Sequence, residues 1–136
     1  MIRNCVLSLF SAVITYAASA AANEPIRLEL NALENAESRC RVSFVIENQA
    51  QAGVDSLRLE LAVFNRDGVV QRRVSADMGP VRGAKTVVKS FTIDGGCDEI
   101  GAILVNDVTA CAPGDANTCL DRLALSSRAK EVRFYK

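Results

Sequence analysis

Few residues in this chain could do chemistry, and the most conspicuous are the two thiols of CAPGDANTC, Cys111 and Cys119. Thiols so placed could form a redox dithiol, one arm of a metal clamp, or a bridge across a loop. Redox pairs and thiolate zinc sites both use C-x-x-C spacing, because two residues between the thiols let them converge on one point. Cys40, Cys97, Cys111 and Cys119 show no such spacing. A bridge across a loop of turn-forming residues is the expectation that remains. Histidine is absent, which excludes Ser-His-Asp and Cys-His nucleophiles and every metal site that needs an imidazole.

Carboxylates are the next candidates. Asp94, Asp98 and Glu99 gather around Gly95-Gly96, and Asp107 follows in the next apolar stretch. Two carboxylates flanking a cleft could hydrolyse a glycosidic bond, and a dense oxygen cluster at Asp94–Glu99 could hold calcium. The spacing matches no calcium-loop motif, and a small chain without tryptophan has little with which to line a sugar groove. Solvated turn residues are the expectation, with no catalytic residue, no metal and no cofactor.

The elements that must position these residues read as strands. Ile26, Leu28 and Leu30 alternate with charged residues, as do Cys40 to Ile46 and Leu57 to Val63. Period-two alternation of this kind marks half-buried strands. Asn65-Arg66-Asp67-Gly68 is a tight-turn sequence with Gly68 suited to a left-handed position. Val70 to Val74 forms a weaker edge strand, Thr86 to Ile93 another strand, and Ile100 to Val108 the most apolar one. Leu123, Leu125, Val132 and Phe134 suggest a last strand or bent pair, and Asp115 to Leu125 a helical turn. About seven short strands predict an all-β, antiparallel sandwich of the immunoglobulin or fibronectin type III kind, with two disulfides. In that topology the second and sixth strands run the same way. Cys40 and Cys97 then meet at one end, and Cys111 and Cys119 at the other.

The start of the chain has a different character. Arg3 precedes an apolar run from Cys5 to Ala18, and the small residues Ala18-Ser19-Ala20 and Ala20-Ala21-Ala22 follow. Residues 1–22 are therefore expected to be a cleaved signal peptide and residues 23–136 a single domain. The run is short for a membrane anchor. A lone arginine favours Sec over twin-arginine export. Arg3 is the only charge in residues 1–22, so its removal leaves a net charge of −1. General nucleic-acid or membrane-surface binding is not expected at that balance. Periplasmic export also suits four remaining cysteines paired as disulfides.

Charge is unevenly spread along the chain. Arg66 to Lys89 carries six basic residues against Asp67 and Asp77, whereas Asp94 to Asp121 carries six acidic residues and no basic one. Such blocks could steer a complementary partner. Arg72, Arg73, Asp98, Glu99, Asp115 and Asn117 are the candidate contact residues.

The stretches RCRVSFVIEN, LRLELAVFNRDGVV, CDEIGAILVNDVTAC and LALSSR, together with the leader, resemble a family of small exported alphaproteobacterial proteins known by a Tat-pathway signal. The resemblance covers nearly the whole mature chain and its four cysteines; the missing second arginine departs from the family label. It implies an accessory role in the envelope, beside TonB/ExbB/ExbD-like components, and nothing catalytic. The expected function is thus a non-catalytic periplasmic module that docks onto an envelope protein. The alternative is a proteinaceous enzyme inhibitor that presents the stapled 111–119 loop.

Overall fold

Apolar side chains at every second position cannot be hidden by a single sheet, so two sheets form and bury those rows against each other. A computed structural model describes residues 13–14 and 24–136. The leader expected over residues 1–22 lies, apart from Val13 and Ile14, outside the described residues. The strands are β1 (Ile26–Ala36), β2 (Arg39–Asn48), β3 (Ser56–Asn65), β4 (Val70–Asp77), β5 (Lys85–Asp94), β6 (Ile100–Ala112), β7 (Leu123–Ser127) and β8 (Arg133–Tyr135). One short helix, α1 (Ala116–Arg122), separates β6 from β7. The first sheet has the order β5-β2-β1-β7 and the second β4-β3-β6-β8.

The core is the set of inward rows. Ile26, Leu28 and Leu30 of β1 and Val42, Phe44 and Ile46 of β2 face Leu57, Leu59, Leu61 and Val63 of β3 and Ile103, Val105 and Val108 of β6. Phe44 is central, with ring centroids 6.1 Å from Phe91 and 5.5 Å from Phe134. The sandwich with two disulfides is as the alternation predicts.

The described residues form eight strands, in keeping with the seven or so expected. One expectation needs correction: the sheets are mixed rather than antiparallel, since β7 runs parallel to β1 and β8 parallel to β6. The reason lies after Ala112. The chain does not turn back in a hairpin but passes through α1, so it re-enters alongside β1 instead of β6. It then crosses the flank between Ser127 and Arg133 and returns toward the α1 end beside β6. The bent-pair reading of Leu123 to Phe134 is the one that holds. β7 and β8 close one flank of the sandwich, and β4 and β5 are the edge strands of the other.

At one end, the 3₁₀ turn Cys97–Glu99 carries the chain from β5 to β6. At the other end the 48–54 and 78–84 loops pack together around Asn48, the one buried polar residue among the described residues. Its amide nitrogen donates to the carbonyls of Ala52 at 2.9 Å and Arg82 at 3.2 Å, and its oxygen accepts from the Ala50 N–H at 3.2 Å. Gly83 fits only as glycine, since a Cβ there would strike the Gln51 carbonyl.

Candidate functional site

The cysteines pair as the strand directions require. Cys40 bridges Cys97 with Cα atoms 4.9 Å apart, and Cys111 bridges Cys119 at 6.4 Å. The second bridge spans an exposed loop, Ala112 to Asp115, that leads into α1. Asp115 caps that helix: its Oδ1 accepts from the Thr118 N–H at 2.8 Å, as an N-cap carboxylate should. The Thr118 backbone N–H, with the Thr118 hydroxyl second, holds the Asp115 carboxyl below its ordinary value. The Asp55 N–H, just before β3, donates to the Ala112 carbonyl at 2.7 Å and ties the start of the loop to the entry of that strand. At the far end of α1, the Lys136 ammonium donates to the Leu120 and Leu123 carbonyls, each at 2.7 Å. A cation suits the negative end of a helix. Asn117 is exposed in the first turn of α1.

The other candidate contact residues lie elsewhere. Asp98 and Glu99 are at the Cys40–Cys97 end, separated from Asp115 and Asn117 by the whole of β6. Thirteen residues of β6 at about 3.3 Å each span roughly 40 Å. Arg72 is on the inward row of β4 and reaches across the open flank to Asp94 at 3.8 Å. Arg73 points outward and pairs with Glu60 at 3.3 Å. The charge blocks of the sequence therefore do not become two opposed faces. Neighbours in sequence are dispersed because each strand carries them the full height of the molecule.

Asp94 is engaged by two guanidiniums, Arg39 at its Oδ1 (3.0 Å) and Arg72 at its Oδ2. This arrangement is an ion-pair cluster that braces β2, β4 and β5, and both carboxylate oxygens are already directed at cations. Glu99 sits over Gly95, whose φ of +98° keeps that turn open. Arg66 donates to the Asp98 carbonyl. Among the described residues no group of three or more His, Cys, Asp or Glu could hold a metal ion. Asp107 lies along β6, opposite Glu60 rather than near Asp94. It is roughly 25 Å along the strand from the 94–99 turn, too far for a carboxylate pair to share one glycosidic bond.

A surface that the sequence reading missed lies on the outer face of the second sheet. The pairings place Val70, Phe64, Ala102 and Arg133 in one row across four strands, and Arg73, Ala62, Leu104 and Tyr135 in the next. Every strand of the sheet except β4 contributes through an apolar doublet: Val63-Phe64, Ile103-Leu104 and Phe134-Tyr135. In each doublet the first residue enters the core and the second faces out. The doublets were the available signal, hidden because an apolar residue next to a core residue reads as more core. A shallow hollow of about 310 Å³ adjoins these rows, lined by Phe64, Arg66, Arg133 and Tyr135 among others. Another of about 320 Å³ lies beside Cys97, between Leu33, Asp98 and the 129–132 turn.

No helix among the described residues is long and apolar enough to cross a membrane. Comparison with family models, curated proteins and solved structures gave no match.

Proposed function

We propose that the chain is a non-catalytic periplasmic binding module that docks onto an envelope protein through its stapled end loop. The observation that carries this reading is the build of the 111–119 loop. It is exposed from Ala112 to Asp115 and again at Asn117 and Thr118, yet it is held by a disulfide, a helix cap and a backbone bond to Asp55 at the entry of β3. A loop already fixed in place loses little conformational freedom on binding, so more of its contact energy appears as affinity. The two bridges suit an oxidising compartment, and the leader expected over residues 1–22 would deliver the chain there. The family resemblance supplies the class of partner, an envelope complex of the TonB/ExbB/ExbD-like kind.

The test is capture from an envelope fraction with the tagged full chain, followed by both rate constants at two salt concentrations. Docking through the loop predicts a stoichiometric envelope partner. Asp115→Arg and Asn117→Arg should speed dissociation, because contacts formed at the interface act mainly on lifetime. Arg73→Glu and Glu99→Lys, which lie far from the loop, should change only the salt-dependent association rate. Capture of a hydrolase, with loss of its activity, would make the same rigid loop an inhibitor's. Capture indifferent to the loop substitutions would overturn the reading.

A further inference from the structure

The outer face of the β4-β3-β6-β8 sheet offers a second contact surface, independent of the loop. Phe64, Leu104 and Tyr135 are half-buried on it, Ala62 and Ala102 lie between them, and Val70 at its margin is 49% exposed. Arginines surround them. Arg73 is paired with Glu60, and Arg66 with Glu131 at 3.5 Å. Arg133 has no carboxylate within 4 Å among the described residues, and its guanidinium lies 3.8 Å over the ring of Tyr135. Stacking uses the flat face of a guanidinium and leaves its N–H edge free to grip a carboxylate.

We infer that this face binds a short segment of a partner protein that carries an acidic residue next to apolar ones. The acidic residue meets the edge of Arg133, and the apolar residues cover Leu104, Phe64 and the open side of Tyr135. Size decides between a segment and a second copy of the chain. Two rows across four strands at about 4.8 Å spacing cover roughly 300 Å². A stable protein pair needs about 800 Å² from each partner. Below these rows the same face turns polar, with Glu60, Asn106, Arg58 and Thr109, so the apolar area does not extend to dimer size. A few residues of extended chain match it.

The chain has no tryptophan and only two tyrosines, Tyr16 and Tyr135. In the full chain carrying Tyr16→Phe, tyrosine emission therefore reports on this face alone. The probes are an acetylated, amidated Gly-Asp-Leu-Phe-Gly peptide and its counterpart with lysine in place of aspartate. The aspartate probe should change Tyr135 emission saturably and bind about ten-fold tighter than the lysine probe, the factor expected of a charge-assisted contact. Arg133→Gln should remove that preference while leaving the residual apolar binding, and Leu104→Asp should abolish both. Asp115→Arg in the loop should alter neither, which separates this surface from the docking loop. Equal binding of the two probes, or no emission change at millimolar peptide, would overturn the inference. A concentration-dependent dimer broken by Leu104→Asp would overturn it in favour of a second copy.

Discussion

Removing each disulfide in turn tests how the bridges stabilise the fold. The Cys40–Cys97 bridge joins residues 57 apart in sequence, and Cys111–Cys119 residues 8 apart. In the loop-closure description, the entropy withheld from the unfolded chain grows with the logarithm of loop length. The long bridge is then worth about 4 kcal/mol and the short one about 2.5. Each bridge has one sulfur-bearing residue in the core, Cys40 at 0% and Cys119 at 1% exposure. Packing losses in the two double-alanine variants should therefore be similar and largely cancel in the comparison. Cys40→Ala/Cys97→Ala should lower Tm by roughly 16 °C and Cys111→Ala/Cys119→Ala by roughly 10 °C, at about 4 °C per kcal/mol for a domain of this size. Urea unfolding adds an independent signature. Cutting the long bridge lets the unfolded chain expand more, so its m-value should rise more. A short-bridge variant that loses as much stability as the long-bridge one would refute the entropic account. So would an unchanged m-value in the long-bridge variant, because the stabilisation would then reside in the folded state.

Other substitutions should act through packing and hydrogen bonds. Asn48→Ala should cost about 2 kcal/mol in urea unfolding by stranding the Ala52 and Arg82 carbonyls. Asn48→Asp should cost more, since it turns a carboxylate toward those carbonyls. Phe44→Ala, which deletes the ring between Phe91 and Phe134, should cost about 3–5 kcal/mol by the same assay. The lowered Asp115 carboxyl contributes stability that is fully present above its unfolded value near 3.8 and is lost as pH falls through the lower folded value. Asp115→Asn keeps a capping side chain but removes the titration. Its Tm should thus fall less than the wild type's between pH 5 and pH 2, and parallel curves would show that the cap does not titrate with folding. Glu29 titrates in the same sense, held low first by Asn31 and then by Arg128, and it remains in both proteins as a common background.

Much of the fold was legible in the alternation of Ile26 to Leu30, Cys40 to Ile46 and Leu57 to Val63, because a strand with one buried face must place apolar residues two apart. The Asn65–Gly68 turn was legible for the same kind of local reason: Gly68 has φ +79°, and the Asn65 side chain accepts from the Asp67 and Val69 amides. The direction of β7 and β8 was not legible. Leu123-Ala124-Leu125 alternates identically whether its partner runs with it or against it, and that partner is almost a hundred residues away. Contact residues were harder still. Arg72 and Arg73 are adjacent in sequence, yet one crosses to the other sheet and the other faces solvent. The outward face of β6 could be recognised only once Ala102 and Leu104 had been paired with Phe64, Ala62 and Tyr135.

The parallel closure by β7 and β8 also bears on the order of folding. The β1–β2 hairpin closes over a two-residue turn and can form early, and β3–β4 is almost as local. Ile26, by contrast, gains its outer neighbour only when Leu123 arrives, and Ile103 only when Phe134 does. Contacts this distant carry a large loop-closure cost and form slowly. Until then the barrel-like flank stands open, with β1 and β6 each presenting a long unpaired edge beside a bare core. An intermediate of that shape is a ready template for another chain. Residues 123–136 thus act as a late seal, and the interval before they dock is when this protein is most exposed to aggregation.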